Sequence, residues 1–593
     1  VTSLSVANIT PVSIAAGKSL SGAITVTAGS VKLDETGTLA STIAMSGGTL
    51  DADETSIVSG ALSHTADITI DVTTGKTLTY SGAAISLGAK TITLSGGGTL
   101  GNTNALVLNN ANSKLLLNSI TLDSVSTSSD SLGLDVDNNS TITALSVGHI
   151  TPVSIAAGKN LSGAITVSAG SVKLDETGTL ASTIAMSGGT LDADESSTVS
   201  GALTQSGDIA LDVADNKTLT YSGAAVSLGA NTLTLSGGGT LGNTNAFVLN
   251  NANSKLLLNS ITLDSASTSS DSLGLDIDTN STVTSLSVSH ITPVSIAAGK
   301  SLSGAVTVTA GSLKLNETGT LASTIAMSGG TLDADETAIV SGALTQSGDI
   351  AIDVATGKTL TYSGAAISLG ANTITLSGGG TLDNTNSLVL NNANSKLLLN
   401  SITVGSASTS SDSLGLDVDG DSTVTSLSVG HITPVSIAAG KNLSGAVTVS
   451  AGLLRLNETG TLASTIAMSG GTLDSDESST VSGALSHTAD IEIDVATSKT
   501  LTYSGSAISI GANTITLSGG GSLVSGGLTL NNADSKLLLN SITLDSASTS
   551  TDSLGLDVDA DSTVTSLSVA NITPVSIAAG KSLSGAITVT AGS

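Results

Sequence analysis

The sequence feature that most constrains the fold of this chain is a long internal repeat. The thirty residues that open it, VTSLSVANITPVSIAAGKSLSGAITVTAGS, recur unchanged at its other end. Aligning the chain with itself gives three units of equal length, a fourth that is slightly shorter, and a short last stretch. No linker rich in Pro, Gly and Ser separates the units, so we expect one continuous repetitive structure. The units are residues 1–141, 142–282, 283–423, 424–563 and 564–593.

Within a unit, apolar and polar residues alternate. The pattern is clear in ADITIDV (66–72), KTITLSG (90–96) and ITALSV (142–147). Alternation with a period of two is typical of half-buried strands. Gly-rich turns such as AAGK (15–18) separate these stretches, and no stretch carries a capped helical stripe. The chain is therefore predicted to be all-β.

A finer recurrence gives the length of one turn. Leu-bearing strands follow glycines at Leu20, Leu39, Leu62, Leu78 and Leu100, with a mean spacing of about 20 residues, so about seven turns fit in one unit. Coils of this size predict a parallel β-helix, or β-solenoid, in which coils stack about 4.8 Å apart. One unit would then rise about 34 Å. Because no strict six-residue repeat is present, a right-handed coil is favoured.

The composition bears on a rival architecture. A string of β-sandwich domains is the alternative, because about 140 residues is a reasonable sandwich size. Such domains would be tandem calcium-binding adhesin modules. However, the chain has no Cys or Trp, one Phe and four Tyr, so its core has to be built from aliphatic side chains. The scarce aromatics, the missing linkers and the short period of the Leu-bearing strands all favour the solenoid.

The charge and the hydropathy of the chain argue against two partners, nucleic acid and the interior of a membrane. Its net charge is −29 and its only arginine is Arg455, which argues against nucleic acid, since phosphate binding needs clustered Lys and Arg. No apolar run approaches about 18 residues, so no membrane span is expected. An acidic, Cys-free chain rich in Ser, Thr and Gly is typical of an extracellular or cell-surface protein.

The sequence does not indicate an enzyme. His149, His290 and His431 occupy one position of the repeat, where Asn8 and Asn571 stand in the other units. A position that accepts Asn does not need an imidazole, and no His–Asp–Ser constellation stands out. A near-identical fourfold array with one Arg also offers no unique carboxylate or Arg cluster of the kind that polysaccharide-cleaving enzymes use. We therefore predict no catalytic residue.

Acidic motifs give the best indication of a ligand. DVDNNS (135–140) and its equivalents place two carboxylates on the outer face of one strand, where they could hold Ca²⁺ together with turn carbonyls. The alternative is a solvated face that keeps the chain soluble and limits lateral sticking. We predict no cofactor, with Ca²⁺ as the alternative. The candidate ligands are Asp135, Asp137, Asp276, Asp278, Asp417, Asp419, Asp421, Asp557, Asp559 and Asp561.

An apolar motif, SKLLLN (113–118), also recurs in every full unit. Three consecutive leucines break the alternation, so one of them has to point the wrong way. Either a corner of the coil absorbs it, or the middle leucine faces outward and packs on another chain. The candidates for self-association are Leu116, Leu257, Leu398 and Leu538.

Three phrases resemble a known family. SGAITVTAGSVKL (21–33), IAMSGGTLDAD (43–53) and KTITLSGGGTL (90–100) resemble autotransporter-associated β-strand repeats and the passengers of filamentous-haemagglutinin-like bacterial proteins. The resemblance extends over the whole chain, although the repeat period is unusually long for that family. It implies a right-handed parallel β-helix, exported to the cell surface as an adhesin, stalk or fibre.

Together these observations predict a structural surface protein. The chain would be a segment of a long β-solenoid that builds a fibre, sheath or stalk, with other copies of itself as partners in lateral or end-to-end assembly. The alternative is the spacer of an adhesin, whose binding tip lies outside this segment and contacts surface glycans or neighbouring cells.

Overall fold

The computed structural model describes residues 1–591. The chain forms two compact units, Val1–Gly304 and Ala305–Ser593. Each is a β-solenoid of parallel stacked coils with roughly 20 residues per turn, and the described residues make about 29 turns and no helix. The predicted solenoid is confirmed. The β-sandwich alternative is wrong, because sandwiches are built from antiparallel sheets, whereas the strand pairs here are parallel.

Three parallel sheets form the sides of the coils, and the first repeat shows their layout. In sheet 1, inward and outward side chains alternate along strands such as Ile68–Val72 and Thr91–Ser95. Its strands are Thr10–Val12, Ser30–Leu33, Thr49–Ala52, Ile68–Val72, Thr91–Ser95, Lys114–Leu117, Gly133–Val136 and Ile150–Ile155. Seven sheet 1 strands begin between Ser30 and residue 170, so the predicted seven coils per repeat are confirmed.

The other two sheets follow sheet 1 along each coil. The strands of sheet 2 are Ser19–Leu20, Thr38–Leu39, Ser56–Val58, Thr77–Tyr80 and Thr99–Asn102. Those of sheet 3 are Ser3–Val6, Ala23–Val26, Thr42–Met45, Leu62–His64, Ile85–Ser86 and Leu106–Leu108. Three longer strands run through both sheets, namely Thr121–Thr127, Ser140–Val147 and Asn160–Val167. Strands of the later repeats occupy equivalent positions, such as Lys255–Leu258 and Lys396–Leu399.

The leucines used to predict the coil length do not form one column. Leu39 pairs with Val58 in sheet 2, whereas Leu62 pairs with Ile43 in sheet 3. The predicted coil length still holds, because register partners in sheet 1, such as Leu50 and Ile70, are one turn of roughly 20 residues apart. Leu62 therefore lies on a different side of the coil from the one that the sequence predicts, although the mean spacing is right.

Aliphatic columns fill the interior, as the composition predicts. Along sheet 1, each inward side chain stacks on its counterpart in the next coil. Burying one such side chain stabilises the fold by about 1.5–3 kcal/mol. One column, in which every side chain is at most 2% exposed, consists of Leu50, Ile70, Leu94, Leu117, Val136 and Ile155.

The single tyrosine of each repeat anchors a turn from inside the core. The Tyr80 side chain is 2% exposed, and its hydroxyl donates to the Ala83 carbonyl at 2.7 Å. The same hydroxyl accepts a hydrogen bond from the Leu62 N–H at 3.1 Å. Burial raises the pKa of Tyr80, so the phenol stays protonated and able to donate. The hydroxyls of Tyr221, Tyr362 and Tyr503 donate to turn carbonyls in the same way.

Replacing Tyr80 with Phe is therefore expected to destabilise its coil by about 1–3 kcal/mol, because the buried Leu62 N–H loses its acceptor. Hydrogen exchange of the Leu62 amide measures the loss. The Leu203 amide is the internal control, because it donates to the unchanged Tyr221 hydroxyl in the second repeat and its exchange should stay the same. Unchanged exchange at Leu62 in Tyr80→Phe would contradict the anchoring role.

Candidate functional site

The outer face of sheet 1 carries ion pairs between adjacent coils. In the first repeat, the Lys32 Nζ lies 2.5 Å from an Asp53 carboxylate oxygen and 3.7 Å from one of Asp51. Further along the sheet, the Lys114 Nζ lies 2.6 Å from Asp135. Because the coils stack in register, each lysine is placed beside acids of the next coil. These partly exposed pairs contribute little stability individually, typically about 0–1 kcal/mol.

These pairs involve one set of the predicted calcium ligands. Lysines of the previous coil contact Asp135, Asp276, Asp417 and Asp557 at 2.6 to 2.9 Å. A second set of predicted ligands is exposed, and each of them directly follows a sheet 1 strand such as Gly133–Val136. These residues are Asp137, Asp278, Asp419 and Asp559. The remaining two, Asp421 and Asp561, accept hydrogen bonds from the backbone N–H groups of Asn442 and Ser582. Within residues 1–591, no three His, Cys, Asp or Glu side chains are grouped so that they could hold a metal ion.

A second column of carboxylates on the outer face of sheet 1, which we call the carboxylate ladder, contains none of the candidate calcium ligands named above. Asp51 lies in register with Asp71 of the next coil, and the Asp71 carboxylate accepts a hydrogen bond from the Ser95 hydroxyl. Burial is the largest cause that raises the pKa of Asp51, and the negative charge of Asp53 adds to it. Burial likewise raises the pKa of the three equivalent carboxyls, Asp192, Asp333 and Asp474. The sequence signal was the recurring LDADE motif, which becomes LDSDE in the fourth repeat.

This ladder predicts a dependence of stability on pH. A carboxyl whose pKa is raised in the folded state destabilises the fold while it is charged, and the penalty is relieved as the pH falls through that pKa. We expect Asp51→Asn, Asp192→Asn and Asp333→Asn together to raise the free energy of unfolding at pH 7 by up to about 0.5 kcal/mol per site, and so to raise the melting temperature. The gain over the parent chain should shrink towards pH 4, as measured by thermal unfolding.

The control for the ladder is Asp137→Asn with Asp278→Asn, since both side chains are exposed. These changes should leave the melting temperature nearly unchanged at either pH. A gain that grows on acidification in the ladder variant would contradict the expected direction.

The leucines of the recurring SKLLLN motif lie in a strand of sheet 1, which is Lys114–Leu117 in the first repeat. Leu115 and Leu117 are fully buried, and Leu116 between them faces outward and is half-buried. The corner alternative is therefore wrong for this motif. Leu116 lies in register between Thr93 and Asp135 of the adjacent coils. The same alternation places Leu257, Leu398 and Leu538 on the outer face.

His64 and its equivalent His487 make structural contacts with backbone carbonyls. The His64 ring nitrogens lie 3.0 Å from the Ala66 carbonyl and 3.1 Å from the Ser86 carbonyl of the next coil. In the second repeat, Gln205 replaces it, and its side-chain amide donates to the Leu228 carbonyl at 2.7 Å. Both residue types thus hold adjacent coils together. The separate His149 lies 3.9 Å from Asp130 at the surface.

One exposed apolar pair per full repeat was missed by sequence reasoning. Leu132 is 54% exposed and Ile150, on the next coil, is 46% exposed. The two coils are joined here, since the Ser131 N–H donates to the Ile150 carbonyl at 3.2 Å. We call each such pair an exposed Leu–Ile pair. The other pairs are Leu273 with Ile291, Leu414 with Ile432, and Leu554 with Ile572.

A glycine turns the leucine of each pair outward. Leu132 and Leu134 are two positions apart, so an extended strand would place both on the same side. Gly133 between them has a φ of +76°, in the left-handed region, and Leu134 is buried while Leu132 is exposed. A Cβ on Gly133 would lie only 1.9 Å from the Pro152 carbonyl oxygen. The sequence signal is the SLGL motif (131–134), which recurs in every full repeat.

Comparisons with protein-family models, with curated proteins and with solved structures give no match for this chain. No helix with the length and apolar character needed to cross a membrane occurs in the part of the chain that the structure describes.

Proposed function

We propose that this chain is a structural extracellular protein, a repetitive β-solenoid that builds a surface fibre, sheath or stalk. The observation that carries the proposal is the recurrence of the same coil contacts in every repeat. The Tyr80 anchor, the Lys114–Asp135 ion pair and the aliphatic columns each return after seven coils. Such a structure has a mechanical function, which is to add length.

Backbone pairing supplies the physical mechanism. Within each compact unit, neighbouring coils hydrogen-bond along three sheets, so their strand edges are covered. In repeat proteins, stability is approximately a sum of repeat and neighbour terms, so further repeats extend the structure without a new core. At about 4.8 Å per coil, one repeat contributes about 34 Å. The surface location follows from the resemblance to exported β-helical passengers and from the acidic, Cys-free composition.

Electron microscopy of the purified chain over a range of concentrations tests this proposal. We expect regular assemblies that grow with concentration, and antibody labelling of intact source cells at their surface. A chain that stays monomeric at every concentration would contradict a self-assembling fibre and would favour the spacer of an adhesin. Labelling that requires permeabilised cells would contradict the surface location.

We further propose that assembly and stability need no metal ion. The carboxylates of Asp135 and its equivalents are paired with lysines, so they gain less from Ca²⁺ than free carboxylates would. Thermal unfolding with EDTA and with millimolar Ca²⁺ should give the same melting temperature. A rise in the melting temperature with Ca²⁺ that is abolished by Asp137→Asn would instead support a calcium site.

A further inference from the structure

We propose that the exposed Leu–Ile pairs are the surface through which copies of this chain associate side by side. This inference rests on the proposed fibre function and names the contact that the fibre would use. Four leucines at one repeat position are 53–56% exposed, and the four paired isoleucines are 41–52% exposed. Two complete pairs lie in each compact unit.

The exposure of Leu132 is built into the backbone. Gly133 is buried and left-handed, and the close approach of the Pro152 carbonyl leaves no room for a side chain. The same arrangement recurs at Gly274, Gly415 and Gly555, where a Cβ would lie 1.8–1.9 Å from the equivalent proline carbonyl. A fixed conformation that holds an aliphatic side chain in water gains stability when a partner covers it.

The spacing of the pairs points to a second copy as the partner. A stable interface buries about 800 Å² on each partner, which one Leu and one Ile cannot supply. A partner without the repeat would engage a single pair. Within each compact unit, a second copy carries the same two pairs at the same interval of seven coils, so two contacts form together and one raises the effective concentration of the other.

The outward leucines of sheet 1 are a poorer contact surface. Leu116 is half-buried, and its register partner Asp135 forms the ion pair with Lys114. A partner that covers Leu116 would also have to remove water from this ion pair, which is costly. Beside the exposed Leu–Ile pair, the Asp130 carboxylate accepts a hydrogen bond from the Ile150 N–H at 3.0 Å, and its side chain is 64% exposed, so it can stay in water at the edge of such a contact.

Two matched variants of the full chain test the inference. The first replaces Leu132, Leu273, Leu414 and Leu554 with Ser, and the second replaces Leu116, Leu257, Leu398 and Leu538 with Ser. Sedimentation velocity gives the concentration at which each assembles, and thermal unfolding confirms that each folds. We expect the first variant to need a concentration about 100-fold higher than the parent, as loss of multivalency implies. The second should assemble like the parent.

The outcomes separate this inference from the proposed function. If the parent assembles and the first variant does so equally well, the Leu–Ile surface is refuted and the fibre function stands. Equal loss in both variants, or loss only in the second, also overturns the inference. A parent chain that never assembles refutes the fibre function itself.

Cysteine crosslinking gives a second readout that does not depend on stability. The chain has no Cys, so Leu132→Cys alone introduces a single thiol and leaves the other three exposed Leu–Ile pairs intact. Mild oxidation at concentrations where this variant assembles should join copies through disulfides. Cysteines at Leu116 and its equivalents should give no crosslink. The reverse pattern would overturn the inference.

Discussion

Gly133→Ala is expected to cost about 4 kcal/mol of local stability, the sum of a backbone penalty and a steric one. A non-glycine residue held at a φ of +76° costs about 1–3 kcal/mol. The new Cβ would also meet the Pro152 carbonyl oxygen at 1.9 Å, so the two coils would have to move apart. Forced overpacking of this kind costs a further ~1–3 kcal/mol. The coils on either side of Gly133 should therefore open far more often than their neighbours.

Hydrogen exchange measures this effect in strands Lys114–Leu117, Gly133–Val136 and Ile150–Ile155. Gly75→Ala is the matched control, because Gly75 has a φ of +77° and its Cβ would meet nothing within 4 Å. The control retains the backbone strain but lacks the steric clash, so it should cost about 1–3 kcal/mol only. Equal losses at the two positions would show that the close approach to Pro152 contributes nothing.

Leu115→Ala should destabilise its coil by about 2–5 kcal/mol, the range for truncating a buried leucine. Leu115 is fully buried and stacks between Ile92 and Leu134 of the adjacent coils. Leu116→Ala removes the same atoms from the next side chain, but that side chain faces outward. The loss for Leu116→Ala should therefore be only about 0.5 kcal/mol, as is usual for surface substitutions. Adjacent leucines of identical chemistry should thus differ several-fold.

Denaturant unfolding of the two variants, with hydrogen exchange of strands Thr91–Ser95 and Gly133–Val136, distinguishes them. Leu117→Ala is a positive control, since Leu117 is also fully buried. If Leu116→Ala proved as costly as Leu115→Ala, the alternation within the triple-leucine motif would be wrong.

Much of the fold could be predicted from the sequence, because strand alternation and a fixed coil length leave direct traces. Alternation in ADITIDV (66–72) places Ile68, Ile70 and Val72 inside, and all three are buried. The coil length followed from spacing alone. The side of the coil on which a strand lies leaves no such trace, since Leu39 and Leu62 have similar surroundings in the sequence but belong to different sheets.

The exposed Leu–Ile pairs illustrate a second limit. Alternation assumes that every intervening residue is extended, and a left-handed glycine breaks that assumption. Leu132 and Leu134 would be assigned to one side by the rule, yet Gly133 separates them. Ile150 could have been placed correctly, since the strand Ile150–Ile155 alternates between exposed and buried positions from its first residue. The ion-pair partners of Asp135 depend on register between coils, which alternation within a strand does not reveal.

The whole number of coils in each repeat has a consequence for how such a gene can change. Seven coils fill one repeat, so a recombination event that deletes or duplicates a repeat joins coils that already match. Every strand at the new junction meets a partner whose sequence is nearly the same as that of its former partner. No side chain therefore moves to the wrong face. A repeat with a fractional number of coils would misalign the strands at each such event. Unequal crossing-over can therefore change the length of this protein without a compensating mutation.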